Sequence, residues 1–500
     1  MATDPVFVAI DVGTTGARAS AVGLDGQVHS EVRRPYDTLI PRPGWAEQDP
    51  DDWREAALDA LAELTANPDL GPDTIAAIGL TGQCPTVAPF DGARRPVGPG
   101  LLYRDNRATD QAEEMRRRWG DQAMHRRTGH IASAFHVGPK VLWLRERDPG
   151  TFAAAECFMQ PRDVVLHALT GVTATDETHA NSTVFFDLRA RAWADDLLES
   201  FSLSSALFPT VSPPWEQVGA VNSAAAERTG VPAGCAVVLG AADSQCAAFG
   251  SDVLGAGPIS EMAGASSCLN SVITEPARDP RITHYSYVVP DCYCTELGVN
   301  VSGGALSWAV QQFALDGFGE LESRAEAVLA KLAAGAVRDP RLAAPLFLPY
   351  LGDGERDDPA LRAAFIGVSD RHGRDELAYA VLEGLAFAVC ETVSVLTAAG
   401  APLEELRVAG GGARLPALGQ VKADALKHPV RHLMHDSAPV GVALLAASRT
   451  GYAGEVRAAA AANLARARLF EPQPVSADAI RERYAWFLDV RSSDAVRLRS

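Results

Sequence analysis

A chain of 500 residues is too long for one ordinary core, and 47% hydrophobic with 22% charged residues describes a globular protein. The formal net charge of -18 excludes a surface built for nucleic acid or an anionic membrane, because phosphate groups attract basic patches. Eight scattered cysteines exclude a disulfide framework. Met1-Ala2-Thr3-Asp4 leads directly into a strand-like run, and no apolar run is read as approaching the ~20 residues of a bilayer span. A cytoplasmic protein without a leader is expected.

The opening Phe7-Val8-Ala9-Ile10-Asp11-Val12, the turn Gly13-Thr14-Thr15-Gly16 and the run Ala17-Arg18-Ala19-Ser20-Ala21-Val22 read as strand, turn and strand. Asp25-Gly26 turns the chain into a third strand from Val28. Residues 52–66 have helical periodicity behind Pro50 and two aspartates. A short buried strand at 76–80 precedes helices at 109–119, 140–147 and 161–169. The strand 235–239 then leads through Gly240-Ala241-Ala242-Asp243 into a helix of small residues ending at Gly250.

Glycines in 251–258 place a boundary there, giving an N-terminal domain over 1–250 and a C-terminal domain over 251–500. Residues 258–263, the turn Gly264-Ala265-Ser266-Ser267 and residues 268–273 repeat the opening pattern, which predicts an internal duplication. Helices are predicted at 304–314, 321–334 and 376–399. Gly410-Gly411-Gly412 follows a strand at 406–409, a helix starts at Pro416, and a terminal helix covers 476–490. Alternating strands and helices in two related halves predict an α/β protein with its ligands in a cleft.

None of the four lysines stands in G-x-x-x-x-G-K-[ST], and no G-x-G-x-x-G joins a strand to a helix. Any phosphate must be held another way. Asp11 before the 13–16 turn is one candidate: the backbone N–H groups and two threonine hydroxyls can cradle phosphate oxygens, and the aspartate can reach Mg²⁺ through water. An ordinary hairpin turn is the alternative. Asp243 is either the N-cap of its helix or a carboxylate that accepts a hydroxyl proton. The turns 264–267 and 410–412 could approach a nucleotide closely or be plain loops.

Arg104-Asp105-x-Arg107 is either a sugar-binding knot or a surface ion-pair cluster. Cys292-x-Cys294 and the His432/His435 pair lack metal-site order and are read as structural, and the acidic stretch 353–358, without EF-hand order, as a solvated turn.

Taken in order, several segments resemble the FGGY carbohydrate kinase family, in its xylulokinase-like branch. They are Ala9-Ile10-Asp11-Val12-Gly13-Thr14-Thr15-Gly16, Trp45-Ala46-Glu47-Gln48-Asp49-Pro50, Gly79-Leu80-Thr81-Gly82-Gln83 and Pro139-Lys140-Val141-Leu142-Trp143-Leu144, then 240–250, Leu348-Pro349-Tyr350-Leu351 with Gly354-Glu355-Arg356, and Gly410-Gly411-Gly412-Ala413-Arg414. The resemblance implies an actin/Hsp70-like fold, with two ribonuclease-H-like domains around a central cleft. It implies ATP, Mg²⁺ and a small sugar or polyol as partners, with a homodimer left open.

By the same resemblance Asp243 is the catalytic base and Asp11 faces the metal. Gly13, Thr14, Thr15, Gly16 and Arg18 lie at the phosphates; Gly264, Ala265, Ser266, Gly303, Gly411, Gly412 and Ala413 lie along the nucleotide. Gln83, Cys84, Arg104, Asp105, Asp243 and Gln245 are the implied substrate residues. The chain departs from the family where Cys84-Pro85-Thr86 stands for Met-His-Gly, where Gly264-Ala265-Ser266 stands for Gly-Thr-Ser, and where Thr-Pro-His is missing after Arg356. Lost hydrogen-bond partners change substrate discrimination. The expectation is a ketopentose-type substrate. Another polyol or sugar acid (glycerol, erythritol or gluconate type) and a non-catalytic sugar-responsive regulator are the alternatives.

Overall fold

The computed structural model describes residues 4–497 except 72, 73, 353, 356, 357, 359 and 435. Of the stretches singled out above, His435 and half of the acidic stretch (Asp353, Arg356, Asp357) therefore lie outside the described residues, as does Pro359.

The chain divides into two compact units. One comprises Met1–Leu254, Ile273–Thr295 and Ser437–Asn463, the other Gly255–Val272, Glu296–Asp436 and Leu464–Ser500. By packing, these units are not the linear halves 1–250 and 251–500: two later segments pack with the first unit. Close packing explains the second of them. Helix Ser437–Arg449 lies against helix Asp243–Gly250, and no side chain separates them. A Cβ on Gly441 would collide with the Cys246 carbonyl, and one on Gly250 with the Ser437 carbonyl.

In the first unit a six-stranded sheet runs, in spatial order, Gln217–Ala220, Ala236–Val238, Ile75–Gly82, Val6–Val12, Gly16–Gly23 and Val28–Pro35. Val6–Val12 pairs antiparallel with Gly16–Gly23 and parallel with Ile75–Gly82, which pairs parallel with Ala236–Val238. The central strands are buried on both faces, hence their continuous apolar runs. Helix Pro50–Thr65 starts where the Asp49 carboxylate accepts the Asp51 N–H, with proline in its first turn, and it buries Trp53, Ala57, Leu61 and Leu64 in the core beneath that sheet. A second core, around Val141, Phe158, Phe185 and Phe201, serves the helix-rich middle of this unit.

The second unit repeats the opening arrangement. Gly257–Ala263 pairs antiparallel with Ser267–Ile273 and parallel with Leu403–Gly410, beyond which lie Val430–His432 and Arg468–Phe470. In both units the first strand of a hairpin lies parallel to a later strand that ends in glycine, Gly82 or Gly410. This is the predicted duplication in structural form.

One sequence expectation is overturned here. Helix Arg374–Ala398 is long and apolar enough to cross a membrane by length and composition, and 78% of its most apolar stretch is buried inside the structure. It is a core helix, and its Glu383 is ion-paired with Arg483 at 2.6 Å, both fully buried.

All eight cysteines are free, Cys292 and Cys294 among them. The His432 ring packs on Phe470 at 4.6 Å between centroids.

The helix contact at Gly441 gives a direct stability test. Gly441→Val forces side-chain atoms into the Cys246 backbone, where nothing flexible can yield. It should cost ~3 kcal/mol or more in urea unfolding, the upper end for overpacking.

Candidate active site

Parallel register brings the first unit's candidate residues to one sheet edge. Asp11 lies opposite Thr81 and Val12 opposite Gly82, while Gly82 forms a parallel bridge with Ala242. The 13–16 turn, Gln83 and Asp243 thus leave the sheet at the carboxyl ends of neighbouring strands, where open α/β sheets bind ligands. Gly240 makes this possible for the Asp243 segment. Its φ of +75° is left-handed, and a Cβ there would strike the Leu80 carbonyl. Thr81 Oγ1 donates to the Ala241 carbonyl at 2.8 Å and fixes the next residues to the same edge.

The 13–16 turn is held from behind by its carbonyls. Gln48 Nε2 donates to the Thr14 oxygen at 2.7 Å, Gln83 Nε2 to the Gly13 oxygen at 3.3 Å, and Tyr36 OH also to the Gly13 oxygen. Gln48 is itself fixed, since its Oε1 accepts from Trp53 Nε1 at 2.9 Å and from Gln83 Nε2 at 2.8 Å. Burial, reinforced by the Asp11 carboxylate, pushes the Tyr36 phenol far up, so it stays a donor. Among the described residues neither threonine hydroxyl of the turn has a hydrogen-bond partner, and Thr15 is exposed. A turn with tethered carbonyls and free hydroxyls suits an anion. Gly16 is required by close approach, because a Cβ would strike the backbone of Arg34. Asp11 accepts from Arg18 at 2.7 Å.

Asp243 is not the N-cap. Ala242 occupies that position, and Asp243 is the first residue of the helix, half-buried, with its Oδ1 accepting the Ser244 N–H at 2.8 Å. The helix dipole there favours a negative charge.

Beneath this segment lies a fully buried polar cluster. The Ala242 N–H donates to Thr178 Oγ1 at 2.8 Å, and Thr178 donates to Asp176 at 2.5 Å. Asp176 also meets Arg162 at 3.0 Å and His179 at 2.5 Å, and Arg162 donates to the Leu239 carbonyl at 2.6 Å. Burial opposes the charge on Asp176, but His179, Arg162 and the Thr178 hydroxyl outweigh it and hold the carboxyl down at about 2.

In the second unit the candidate turns meet through backbone contact. Ser302 and Gly304 N–H groups donate to the Ala265 carbonyl at 2.9 and 3.0 Å, and the Gly303 N–H donates to the Gly264 carbonyl at 3.0 Å. Ala263 lies opposite Gly410 in the parallel pair, and a Cβ on Gly412 would lie 2.6 Å from that of Ala263. Residues 264–266, Gly303 and 411–413 therefore form one cluster, with the side chain of Ala413 buried. Helix Pro416–Leu426 follows, its start fixed by buried Glu322, which accepts the Ala417 N–H at 2.5 Å. Burial raises the Glu322 carboxyl to about 7.

Three residues expected at the substrate are buried and bonded within the protein. Asp105 is fully buried, with its oxygens bonded to the Ala46 N–H at 2.6 Å and to Arg107 at 2.7 Å. Arg107 also pairs with Glu47 and stacks on Trp45, 3.7 Å from the ring centre. The Asp105 and Arg107 side chains are thus bonded within the protein, while Arg104 is exposed. Gln245 is fully buried, and its Oε1 accepts from the Ser244 hydroxyl at 3.1 Å. Gln83, 2% exposed, donates to the 13–16 turn and to Gln48, and Cys84 beside it is half-buried.

Sequence reasoning missed Gln48, Tyr36 and Thr178. The segment Trp45–Pro50 was noticed, but nothing in it announced a hydrogen bond to the turn. Lys140, from another noticed segment, is buried and donates to the Ala134 and Phe135 carbonyls, both at 2.6 Å, and burial lowers its ammonium to about 7.

The Asp176 cluster predicts an acid signature. Its folded value lies below the unfolded ~3.9, so its contribution is complete above pH ~4 and disappears as pH falls toward 2, a change of order 2 kcal/mol. Asp176→Asn should lower thermal stability at pH 7 and flatten the melting temperature between pH 4 and pH 2 relative to the parent.

Comparison with known proteins agrees with this geometry. Residues 6–250 match the model of the FGGY family of carbohydrate kinases, N-terminal domain, and residues 261–449 that of its C-terminal domain. A xylulose kinase of Bacillus subtilis (strain 168) is 27% identical over 474 residues, 93% of this chain and 92% of that protein. A glycerol kinase of Bordetella parapertussis is 30% identical over 512 residues, 100% of this chain and 97% of that protein. The crystal structure of xylulose kinase from Rhodospirillum rubrum, 28% identical, matches with a TM-score of 0.87 over 97% of each chain. The fold is therefore the two-domain actin/Hsp70-like one that the sequence led us to expect.

Proposed function

This chain belongs to the FGGY family of carbohydrate kinases, ATP-dependent phosphotransferases with an alcohol group as acceptor, and we propose that its acceptor is a ketopentose of the xylulose type. The observation that carries the proposal is the shared sheet edge of Asp11, the 13–16 turn and Asp243. Relatives named xylulose kinase, matched along most of their length, support the sugar class.

In this mechanism Asp243 takes the proton of the sugar hydroxyl, and the hydroxyl oxygen bonds to the γ-phosphorus as the bond to the ADP oxygen breaks. Phosphoryl transfer asks chiefly for such a base, positioning and neutralised charge. The N–H groups and hydroxyls of Thr14 and Thr15 receive phosphate oxygens, the Gly13 N–H being bonded to the Gly16 carbonyl, while Arg18 keeps Asp11 oriented. Residues 264–266, Gly303 and 411–413 receive the nucleotide through their backbone.

Mg²⁺ fits the donors present, because it takes one or two carboxylates and otherwise water and phosphate oxygens. Asp11 would hold it, and the ion would neutralise phosphate charge. Cys84, half-buried beside Gln83, borders the sugar. A cytoplasmic enzyme meeting sugar and ATP, and neither nucleic acid nor membrane, completes the proposal.

ADP release across pentuloses, pentitols, tetritols, glycerol and sugar acids tests the substrate class. D-xylulose or a close ketopentose should give the highest kcat/KM, whereas maximal activity with glycerol would move the enzyme to the other relative's class. Asp243→Asn should lower kcat by ~10³ or more with ATP binding retained. Near-normal turnover of that variant removes Asp243 from the base role.

A further inference from the structure

The second unit buries a chain of polar side chains beneath its clustered turns. Lys422 Nζ donates to Glu261 Oε2 at 2.6 Å, and Ser267 Oγ donates to Glu261 Oε1 at 3.0 Å. The hydroxyls of Ser267 and Ser302 are 2.9 Å apart. Ser267 has one proton and gives it to the carboxylate, so it accepts from Ser302. Exposures of 1% for Glu261 and Lys422, 2% for Ser267 and 7% for Ser302 leave the chain essentially dry.

Each member belongs to a segment that forms the cluster. Glu261 is on strand Gly257–Ala263, which enters the 264–266 turn, and Ser267 is the first residue after that turn. Ser302 immediately precedes Gly303 and its helix. Lys422 is on helix Pro416–Leu426, which the 411–414 turn enters. One bonded path thus reaches all three glycine-bearing segments. A buried ion pair is weak evidence for stability, since desolvation opposes the attraction, and its best-attested use is to fix register.

We propose that Glu261 and Lys422, with Ser267 and Ser302, are positioning residues for the nucleotide, holding the three turns in the arrangement that binds ATP. The inference rests on the assignment of these turns to ATP made above. Another fully buried pair of this unit, Glu383–Arg483, provides the comparison. It joins helix Arg374–Ala398 to the terminal helix Pro474–Ser492, and Arg483 also donates to the carbonyls of Pro340 and Ala344, at 2.8 and 3.0 Å. None of these groups belongs to the clustered turns.

The test uses the full chain and the sugar that gives the highest ADP release, with KM for each substrate, calorimetric titration of ATP and thermal melting. The double variant Glu261→Gln/Lys422→Met removes both charges, so it should melt within ~5 °C of the parent. Its KM and Kd for ATP should rise about tenfold with KM for the sugar unchanged. Ser302→Ala, which touches no charge, should raise KM for ATP about threefold and keeps the test readable if the double variant does not fold. Glu383→Gln/Arg483→Met should leave KM for ATP at the parent value.

Folded variants of the chain that bind ATP as the parent does overturn the inference, as does an equal rise in KM from the Glu383/Arg483 variant. Gly412→Val separates this failure from failure of the function itself. If it weakens ATP binding while the chain variants do not, only the positioning role falls. If it too is silent, the assignment of these turns to ATP falls, and the inference with it.

Discussion

The structure depends on three parallel strands that end together. Val6–Val12, Ile75–Gly82 and Ala236–Val238 share a register in which Val12, Gly82 and Ala242 are neighbours across the sheet. Parallel pairing sets every strand's carboxyl end on the same side, so three separate loops begin side by side. Two carboxylates more than two hundred positions apart, Asp11 and Asp243, are brought to one edge by the backbone pairing of these strands. The left-handed turn at Gly240 and the Thr81–Ala241 bond keep the last of these loops from drifting away.

Both units place buried charge directly behind the segments that would handle phosphate. In the first, Arg162, Asp176 and Thr178 hold the backbone at Leu239 and Ala242. In the second, Glu261 and Lys422 hold the segments around the glycine turns. Burying ions opposes folding unless every partner is in place, so such clusters tolerate little rearrangement. Fixed dipoles and turns that need no reorganisation at the moment of reaction are what phosphoryl transfer asks of a protein. Each unit carries its own buried support: in the first it stands behind the segment leading to Asp243, in the second behind the 264–266 turn and its neighbours.

Local chemistry was legible in the sequence. A strand running into Asp11 and a glycine-bounded turn, and a strand running through small residues into Asp243, announce themselves within a dozen residues, and both are found on the sheet edge. What sequence could not supply were partners distant along the chain. Nothing near Gln48 names Thr14, and nothing near Lys422 names Glu261, because those pairings exist only after the strands are assembled. Arg104-Asp105-x-Arg107 left two readings open for a related reason: a polar motif looks the same whether its carboxylate faces a sugar or a buried Ala46 N–H. The return of Ser437–Asn463 to the first unit was equally hidden, since glycine at 441 and at 250 carries no label for helix contact.

A crystal structure of the protein with D-xylulose and a non-transferable ATP analogue examines the shared edge most directly. The account predicts a sugar hydroxyl within ~2.6–3.2 Å of the Asp243 carboxylate and analogue phosphate oxygens on the 13–16 turn. A sugar bound elsewhere, with Asp243 touching no ligand atom, would contradict it.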